Sequence, residues 1–447
     1  MEKFLNMERI ILPYSYEYIK VLELVSIIAN SIYYFYFMWL FGSVFLAYYL
    51  EFIRRDDVST FIADKVLSLP LKKLSLPIVL GVFSIIVVFS LDLVIFQDGK
   101  FLSLILINGL MSFVFILGLA FAWTYKYTYQ LINLLQKSAL EESSKHFIQF
   151  IQNNFKVHRI SSKLALVFLT IGLFALASSF NYKIDLTLFE VKSSLTSYLF
   201  NLIVIVRFLE LVTLSLAISL LTTFFYYIIW QEKDFELSVN FQDRIKKFTI
   251  NFGLITLLPL PLFLFLEIFL LPSRGLSYSI FLVVGVAVLL IFLIINKLNA
   301  YKKEELHSLG TYSFYVLVII VILFATKDTF TVANSLKPSF IQISRNFVKY
   351  EEDLKSKLNI STININPEEI FNAKCVACHE FDKALVGPPY NLVLPKYEND
   401  SGKLAKFILN PVKVDPAYPP MPAQGLIPAE ADALADYLLK TYKERVK

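Results

Sequence analysis

Up to about residue 326 the chain is a series of long apolar runs separated by short polar clusters. Eight runs are long enough, at about 1.5 Å of rise per residue, to cross roughly 30 Å of hydrocarbon as helices. They lie near 24–50, 76–97, 101–125, 164–181, 198–230, 249–271, 276–296 and 311–326. The fourth and eighth are short and the fifth is overlong. Residues 126–163, with SALEESSKHFIQFIQNNFKVHR, read as a helical cytoplasmic loop that prolongs the third span. A polar stretch centred on VKYEEDLKSKLN predicts a linker over 327–364.

Beyond it the pattern changes. Asn366-Pro367-Glu368-Glu369 reads as a helix start, with an Asn N-cap, Pro at the first helical position and acids at the positive end of the dipole. The last element, Pro428 to Tyr442, carries Leu434, Tyr437, Leu438 and Thr441 at helical spacing. The expected fold class is therefore all-α: a polytopic membrane helix bundle over 1–326, a linker over 327–364 and a small all-α domain over 365–447.

Composition supports the membrane assignment. The 447 residues are 56% hydrophobic and only 18% charged, and the mean hydropathy is +0.60, far from soluble globular domains. The net charge of +5 sits mostly in loops, which points to membrane orientation and away from nucleic acid. The first twenty residues lack a small-residue cleavage pattern, so the first span is expected to act as an uncleaved anchor.

Lys and Arg accumulate in short cytoplasmic loops. Their counts in the seven connecting loops, in chain order, are 5, 1, 6, 2, 4, 1 and 3. High and low values alternate throughout. This places the N-terminus outside, the odd loops in the cytoplasm and the segment after the eighth span outside. Trp123 and Trp230 fall at cytoplasmic span ends, where amphipathic rings favour the interface, whereas Trp39 lies mid-span and is expected to pack inside.

Both cysteines of the chain lie in Lys374-Cys375-Val376-Ala377-Cys378-His379. Two cysteines separated by two residues and followed by histidine form the attachment pattern for c-type haem. The sulfurs of Cys375 and Cys378 would bond the porphyrin, and His379 would bind iron. Other readings of the motif are a redox dithiol or half of a zinc site. Zinc lacks further ligands, since His146, His158 and His307 all fall in predicted cytoplasmic loops. A sixth iron ligand suits an electron carrier, and a Met thioether raises the reduction potential. Met421, in Tyr418-Pro419-Pro420-Met421-Pro422, is the only methionine after Met111. The alternative is a loop Met of structural use, with water or another group on iron.

These residues resemble a class I mono-haem cytochrome c over about 365–447. The resemblance implies one covalent haem c and an aromatic contact between the first and last helices, matching Phe371 and Tyr437. It also implies that Pro388, in Gly387-Pro388, accepts the ring N–H of His379. Met421-Pro-Ala-Gln-Gly-Leu426 is similar to the family's ligand loop. Ile427 departs from it, standing where Ser or Thr often caps the final helix. Haem attachment on the outer face of the bacterial cytoplasmic membrane agrees with the loop charges.

Ionisable residues within spans are costly and mark functional candidates. Asp92, Arg207, Glu210 and Glu267 qualify, with Glu23 at the edge of the first span, and all five fall in the outer half of the membrane. Arg207 and Glu210, three apart, share a helix face. They read either as ion pairs holding the bundle together or as a quinone or proton site. No histidine falls within a predicted span, which excludes a bis-histidine membrane haem.

The expected protein is a membrane-anchored c-type cytochrome that moves single electrons in a respiratory chain. Its expected partners are other respiratory subunits or soluble redox carriers, with its haem domain on the periplasmic side. The alternative is a quinol-oxidising subunit that feeds its own haem. The bundle with an outside N-terminus and few histidines resembles the large subunit of cytochrome bd-type quinol oxidases. It departs from that family in lacking a histidine in the first span, a long outer loop between the sixth and seventh spans, and a ninth span. A transporter or sensor gated by the haem is a third reading, and it requires an open position on iron.

Overall fold

A computed structural model describes residues 15–96, 102–138, 145–184, 201–230, 239–304, 306–357, 366–398 and 400–446. Every regular element among them is helical. The chain forms two compact units, Met1–Phe347 and Val348–Lys447.

Helix α1 (Tyr16–Tyr48) begins at Ser15, whose hydroxyl accepts from the Tyr18 N–H at 3.2 Å. It runs into a wider helical turn over Tyr49–Arg54 and stops at Arg55, which has φ of 59°. Asp56 then caps α2 (Asp57–Ser68), accepting from the Ser59 N–H at 2.8 Å. The capping bonds from Ser59 favour the Asp56 carboxylate and hold its pKa below the usual range. Helix α2 lies in the predicted first loop because its sequence is amphipathic, and Ile62, Ala63, Val66 and Leu67 turn inward.

A wide turn over Pro77–Phe83 leads into α3 (Ser84–Ile95), followed by α4 (Leu102–Ser138) and α5 (Lys145–Ile184), which pair along their length. Helix α6 (Leu202–Phe224) is the centre of the unit, packing on α1, α5, α7 (Val239–Leu257) and α8 (Leu260–Leu270). The α7–α8 break falls at Pro259, with Pro261 next, because neither ring nitrogen can donate to the helix ladder. Helices α9 (Tyr278–Glu304) and α10 (His307–Lys357) complete the unit.

Tight packing of α1 on α6 depends on small residues. A Cβ on Gly42 would run into the carbonyl of Ser215, so the two backbones touch. Beside it, the Ser43 and Ser219 hydroxyls lie 2.9 Å apart, and Ser219 also donates to the Trp39 carbonyl at 2.8 Å. Small residues at a close helix crossing replace the hydrophobic drive that lipid tails cannot supply. Trp39 is buried there, as its mid-span position predicts.

Among the described residues, eight helical stretches are long and apolar enough to cross a membrane: Glu17–Arg54, Pro77–Ile95, Asn108–Leu135, Phe147–Ile184, Leu202–Trp230, Gln242–Leu270, Tyr278–Glu304 and His307–Lys355. They overlap the eight predicted runs in order.

Two expectations change. The eighth helix does not give way to a polar linker at 327: α10 continues to Lys357, and Lys327, Asp328, Thr331, Ser335 and Leu336 are buried. Hydropathy misread this stretch because its inward face is built from polar groups, with Lys327 and Asp328 ion-paired inside the bundle. Likewise, His158 is in no loop. It lies in α5 within the fourth candidate span, buried against Glu51 at 2.7 Å and the Thr128 hydroxyl at 2.9 Å. The short fourth run missed it because the face buried before residue 164 is itself polar: His158, Ser161 and Ser162 are enclosed while Phe150, Phe155, Val157 and Ile160 are exposed, so hydropathy does not mark the packed side.

In the second unit, α11 (Pro367–Lys374), α12 (Tyr390–Val393), α13 (Ser401–Leu409) and α14 (Pro428–Val446) surround one apolar cluster. Helix α14 packs on α11 and α13, and Leu404, Leu434 and Leu438 fill the space between. Each such buried leucine contributes about 1.5–3 kcal/mol relative to exposure.

Candidate functional site

The site in the second unit starts from a capped helix. The Asn366 carboxamide oxygen accepts from the N–H groups of Glu368 and Glu369 at 3.2 and 3.4 Å, and Pro367 occupies the first helical position. This anchors α11 and delivers Cys375 at its end. A tight turn follows, in which the N–H groups of Cys378 and His379 donate to the Cys375 carbonyl at 3.1 and 3.0 Å. Neither cysteine is engaged in a disulfide. Burial pushes the Cys375 thiol pKa up, partly offset by a hydrogen bond from Tyr390.

The chain then loops back over the histidine. The Gly387 N–H donates to the Cys378 carbonyl at 2.8 Å, bringing the loop onto the imidazole. A Cβ on Gly387 would collide with the His379 ring, so only glycine permits this approach. Next in sequence, the Pro388 carbonyl accepts from His379 Nδ1 at 2.8 Å. That bond fixes the tautomer with the proton on Nδ1 and leaves Nε2 with its lone pair available to a metal. The Tyr390 ring stands 5.1 Å from the imidazole and further limits its rotation.

Cys375, His379, Pro388 and Met421 line one cleft, walled by Leu394, Leu404, Phe407, Ile408, Leu434 and Leu438. One imidazole and one thioether line it, most of the remaining wall is apolar or aromatic, and Lys396, Lys413, Asp415 and Gln424 line it as well. With the Cys375 thiol on the cleft and Cys378 three residues on in the chain, this set suits haem c: thiols for covalent attachment, an oriented imidazole, a thioether and a largely apolar enclosure for the macrocycle. Among the described residues no group of three or more His, Cys, Asp and Glu could hold a metal ion, so a zinc site gains no support.

The final helix shows how the departure at Ile427 is resolved. The Ile427 N–H donates to Glu430 Oε2 at 3.0 Å, and the Ala431 N–H donates to the Ile427 carbonyl at 3.1 Å. The acid three residues on thus reaches back to the capping position, as in one half of a capping box. Phe371 and Tyr437 meet with ring centroids 5.8 Å apart at 52°.

The membrane candidates separate into three groups. Glu23 pairs locally with Lys20 at 2.8 Å. Asp92 is held by Lys183 at 2.7 Å and by the Asn108 carboxamide at 2.8 Å. Arg207, Glu210 and Glu267 do come together: Arg207 Nη1 lies 2.8 Å from Glu210 and 3.3 Å from Glu267. They are joined by Lys327, which contacts Glu267, and by Asp328, which contacts Arg207 Nη2. The sequence reading missed Lys327 and Asp328 because it ended the eighth span at 326. A lysine and an aspartate adjacent on an otherwise apolar helix were the available signal.

Residues 367–441 match the cytochrome c family. Over 77 residues the chain is 40% identical to cytochrome c-551 of Pseudomonas denitrificans, covering 16% of this chain and 93% of that protein. Over 78 residues it is 37% identical to cytochrome c-551 of Pseudomonas aeruginosa, covering 17% of this chain and 75% of that protein.

Proposed function

Because the chain belongs to the cytochrome c family through its C-terminal residues, and c-type cytochromes transfer electrons, we propose that it is a membrane-anchored carrier of single electrons in a respiratory chain. The observation that carries this reading is the cleft in which His379, oriented by its 2.8 Å bond to the Pro388 carbonyl, and Met421 line the same space.

Bound in that cleft, haem c supplies a one-electron iron couple. The chain's own residues do the rest. Cys375 and Cys378 would tether the single group covalently, and His379 would offer Nε2 to the metal. Pro388 holds the imidazole against rotation and would increase its basicity as a ligand. Met421 would supply a soft thioether, which would raise the potential and limit access of small molecules to the iron. Apolar walls keep water from the ring faces.

Loop charges support a periplasmic haem unit and an outside N-terminus. A bundle of eight spans exceeds the needs of an anchor, which supports its docking among the subunits of a larger respiratory assembly.

The test is a pyridine haemochrome spectrum of the purified full-length protein, with haem counted per chain. One c-type haem is expected, and it should be missing when Cys375 and Cys378 are both changed to Ser. Met421→Ala should lower the reduction potential and create carbon monoxide binding. A wild-type chain without covalent haem would overturn the reading.

A further inference from the structure

The buried charges of the bundle do not balance. Arg207 and Lys327 bring two cations, while Glu210, Glu267 and Asp328 bring three carboxyl groups, all enclosed among α6, α8 and α10. Tyr34 of α1 lines the same cavity as Asp328 and adds no formal charge to the sum. Among the described residues, the other charges on the adjoining cavity, Asp92 of α3 and Lys183 of α5, cancel each other as a pair. Full ionisation would therefore leave one uncompensated negative charge in a protein interior, and buried carboxyl groups in that position take up a proton instead.

Two observations say where the proton sits and how it arrives. Glu210 and Glu267 accept from the same nitrogen, Arg207 Nη1, at 2.8 and at 3.3 and 3.4 Å, which sets the two carboxyl groups beside each other. Glu210 is fully buried, and its other oxygen, Oε1, has no hydrogen-bond partner. Adjoining the cluster is a cavity of about 50 Å3 lined by Ser26, Asn30, Tyr34, Asp92, Lys183 and Asp328. Its polar groups and size suit a few water molecules, since a water needs about 10–15 Å3 of such volume. Asp328 Oδ1 is buried, lies 3.3 Å from Lys327 Nζ and makes no hydrogen bond, and its residue lines this cavity. Solvent access falls along the series, from 17% and 13% for the Lys183 and Asp92 side chains to 4% for Asp328 and 0% for Glu210 and Glu267.

We propose that the bundle binds one exchangeable proton, shared between Glu210 and Glu267, and that it enters through the water-sized cavity between the Asp92–Lys183 pair and Asp328. This site is independent of the haem. It gives the bundle a ligand of its own, whose occupancy changes the charge of the membrane core by one.

Infrared spectra of the full-length protein in lipid nanodiscs, recorded across pH in H2O and D2O, provide the test. One protonated carboxyl per chain is expected near neutral pH, lost in Glu210→Gln and in Glu267→Gln. Lys327→Met should raise the count from one to two by removing a cation. Asp92→Asn should keep the band but slow its exchange into deuterium. Helical circular dichroism checks that each variant is folded. The wild-type spectrum decides even if a variant fails to fold: no protonated carboxyl band would overturn the proposal. So would a band untouched by both glutamine variants, or one that sodium ions abolish at constant pH, which would make the ligand a metal cation.

Discussion

Phe269 and Leu289 stand 84% and 69% exposed on the bundle, while Arg207, Glu267 and Lys327 are enclosed within it. In the C-terminal unit the order is reversed: Leu394 and Leu434 are enclosed, and Lys403, Lys406 and Lys440 face outward. The same chain thus contains two solutions to folding, one for each solvent. Where the surroundings are hydrocarbon, helices gain nothing by hiding leucine from them and are held by close backbone approach and polar contacts. Where the surroundings are water, a small leucine-centred cluster supplies the drive. The haem cleft could be built on the second plan because its walls are the core itself, whereas the charge cluster could persist only on the first.

The largest expected effect that sharpens this contrast is Arg207→Met. It leaves Glu210 and Asp328 without their main partner and should cost about 3–5 kcal/mol, the range for breaking a buried ion pair. Thermal unfolding of the bundle in detergent, followed by circular dichroism, would measure it. The matching change in the other unit, Lys403→Met on the exposed face of α13, should stay within about 0.5 kcal/mol. Equal losses for the two would break the comparison.

Gly42→Ala should follow at about 3 kcal/mol, the upper part of the overpacking range, because its Cβ meets the immovable Ser215 carbonyl. Gly387→Ala should cost less, about 1–2 kcal/mol, since the colliding His379 ring can shift. That shift would weaken the bond to Pro388 and show as a changed haem spectrum, a readout that Gly42→Ala should leave alone.

Smaller effects lie within the C-terminal unit. A double-mutant cycle on Phe371 and Tyr437 should return a coupling of about 0.5–1.5 kcal/mol, as expected for a tilted aromatic pair. Removing the Glu430 carboxylate by Glu430→Ala should cost about 0.5–1 kcal/mol, in the lower range for a lost helix cap. Urea unfolding monitored by helical circular dichroism would resolve both.

Sequence reading reached the two units to different depths, for a reason visible in the residues. In the haem unit, Cys375, Cys378, His379 and Pro388 lie within fourteen positions, and local hydrogen bonds join them. Local spacing is what a sequence displays. Met421 is more distant, yet scarcity of methionine made it visible. In the bundle, the eight apolar runs were equally plain, because span length follows from membrane thickness and needs no knowledge of neighbours. Arg207, Glu210 and Glu267 stood out one by one as charges in apolar surroundings. Lys327 and Asp328 did not, since the polar face of α10 lowers hydropathy in the same way as a solvated linker.

By itself, therefore, the sequence determined the helical class, the number of candidate spans and the attachment motif, all consequences of short-range pattern and composition. Only the tertiary structure decided that His158 is a core residue bound to Glu51, that Asp92 belongs with Lys183 and Asn108, and that five charges from three helices share one enclosure. Ion pairing in a low-dielectric interior depends on distances of a few ångströms between residues up to 121 positions apart. Those distances are set by how α1, α6, α8 and α10 pack, and no local pattern carries them.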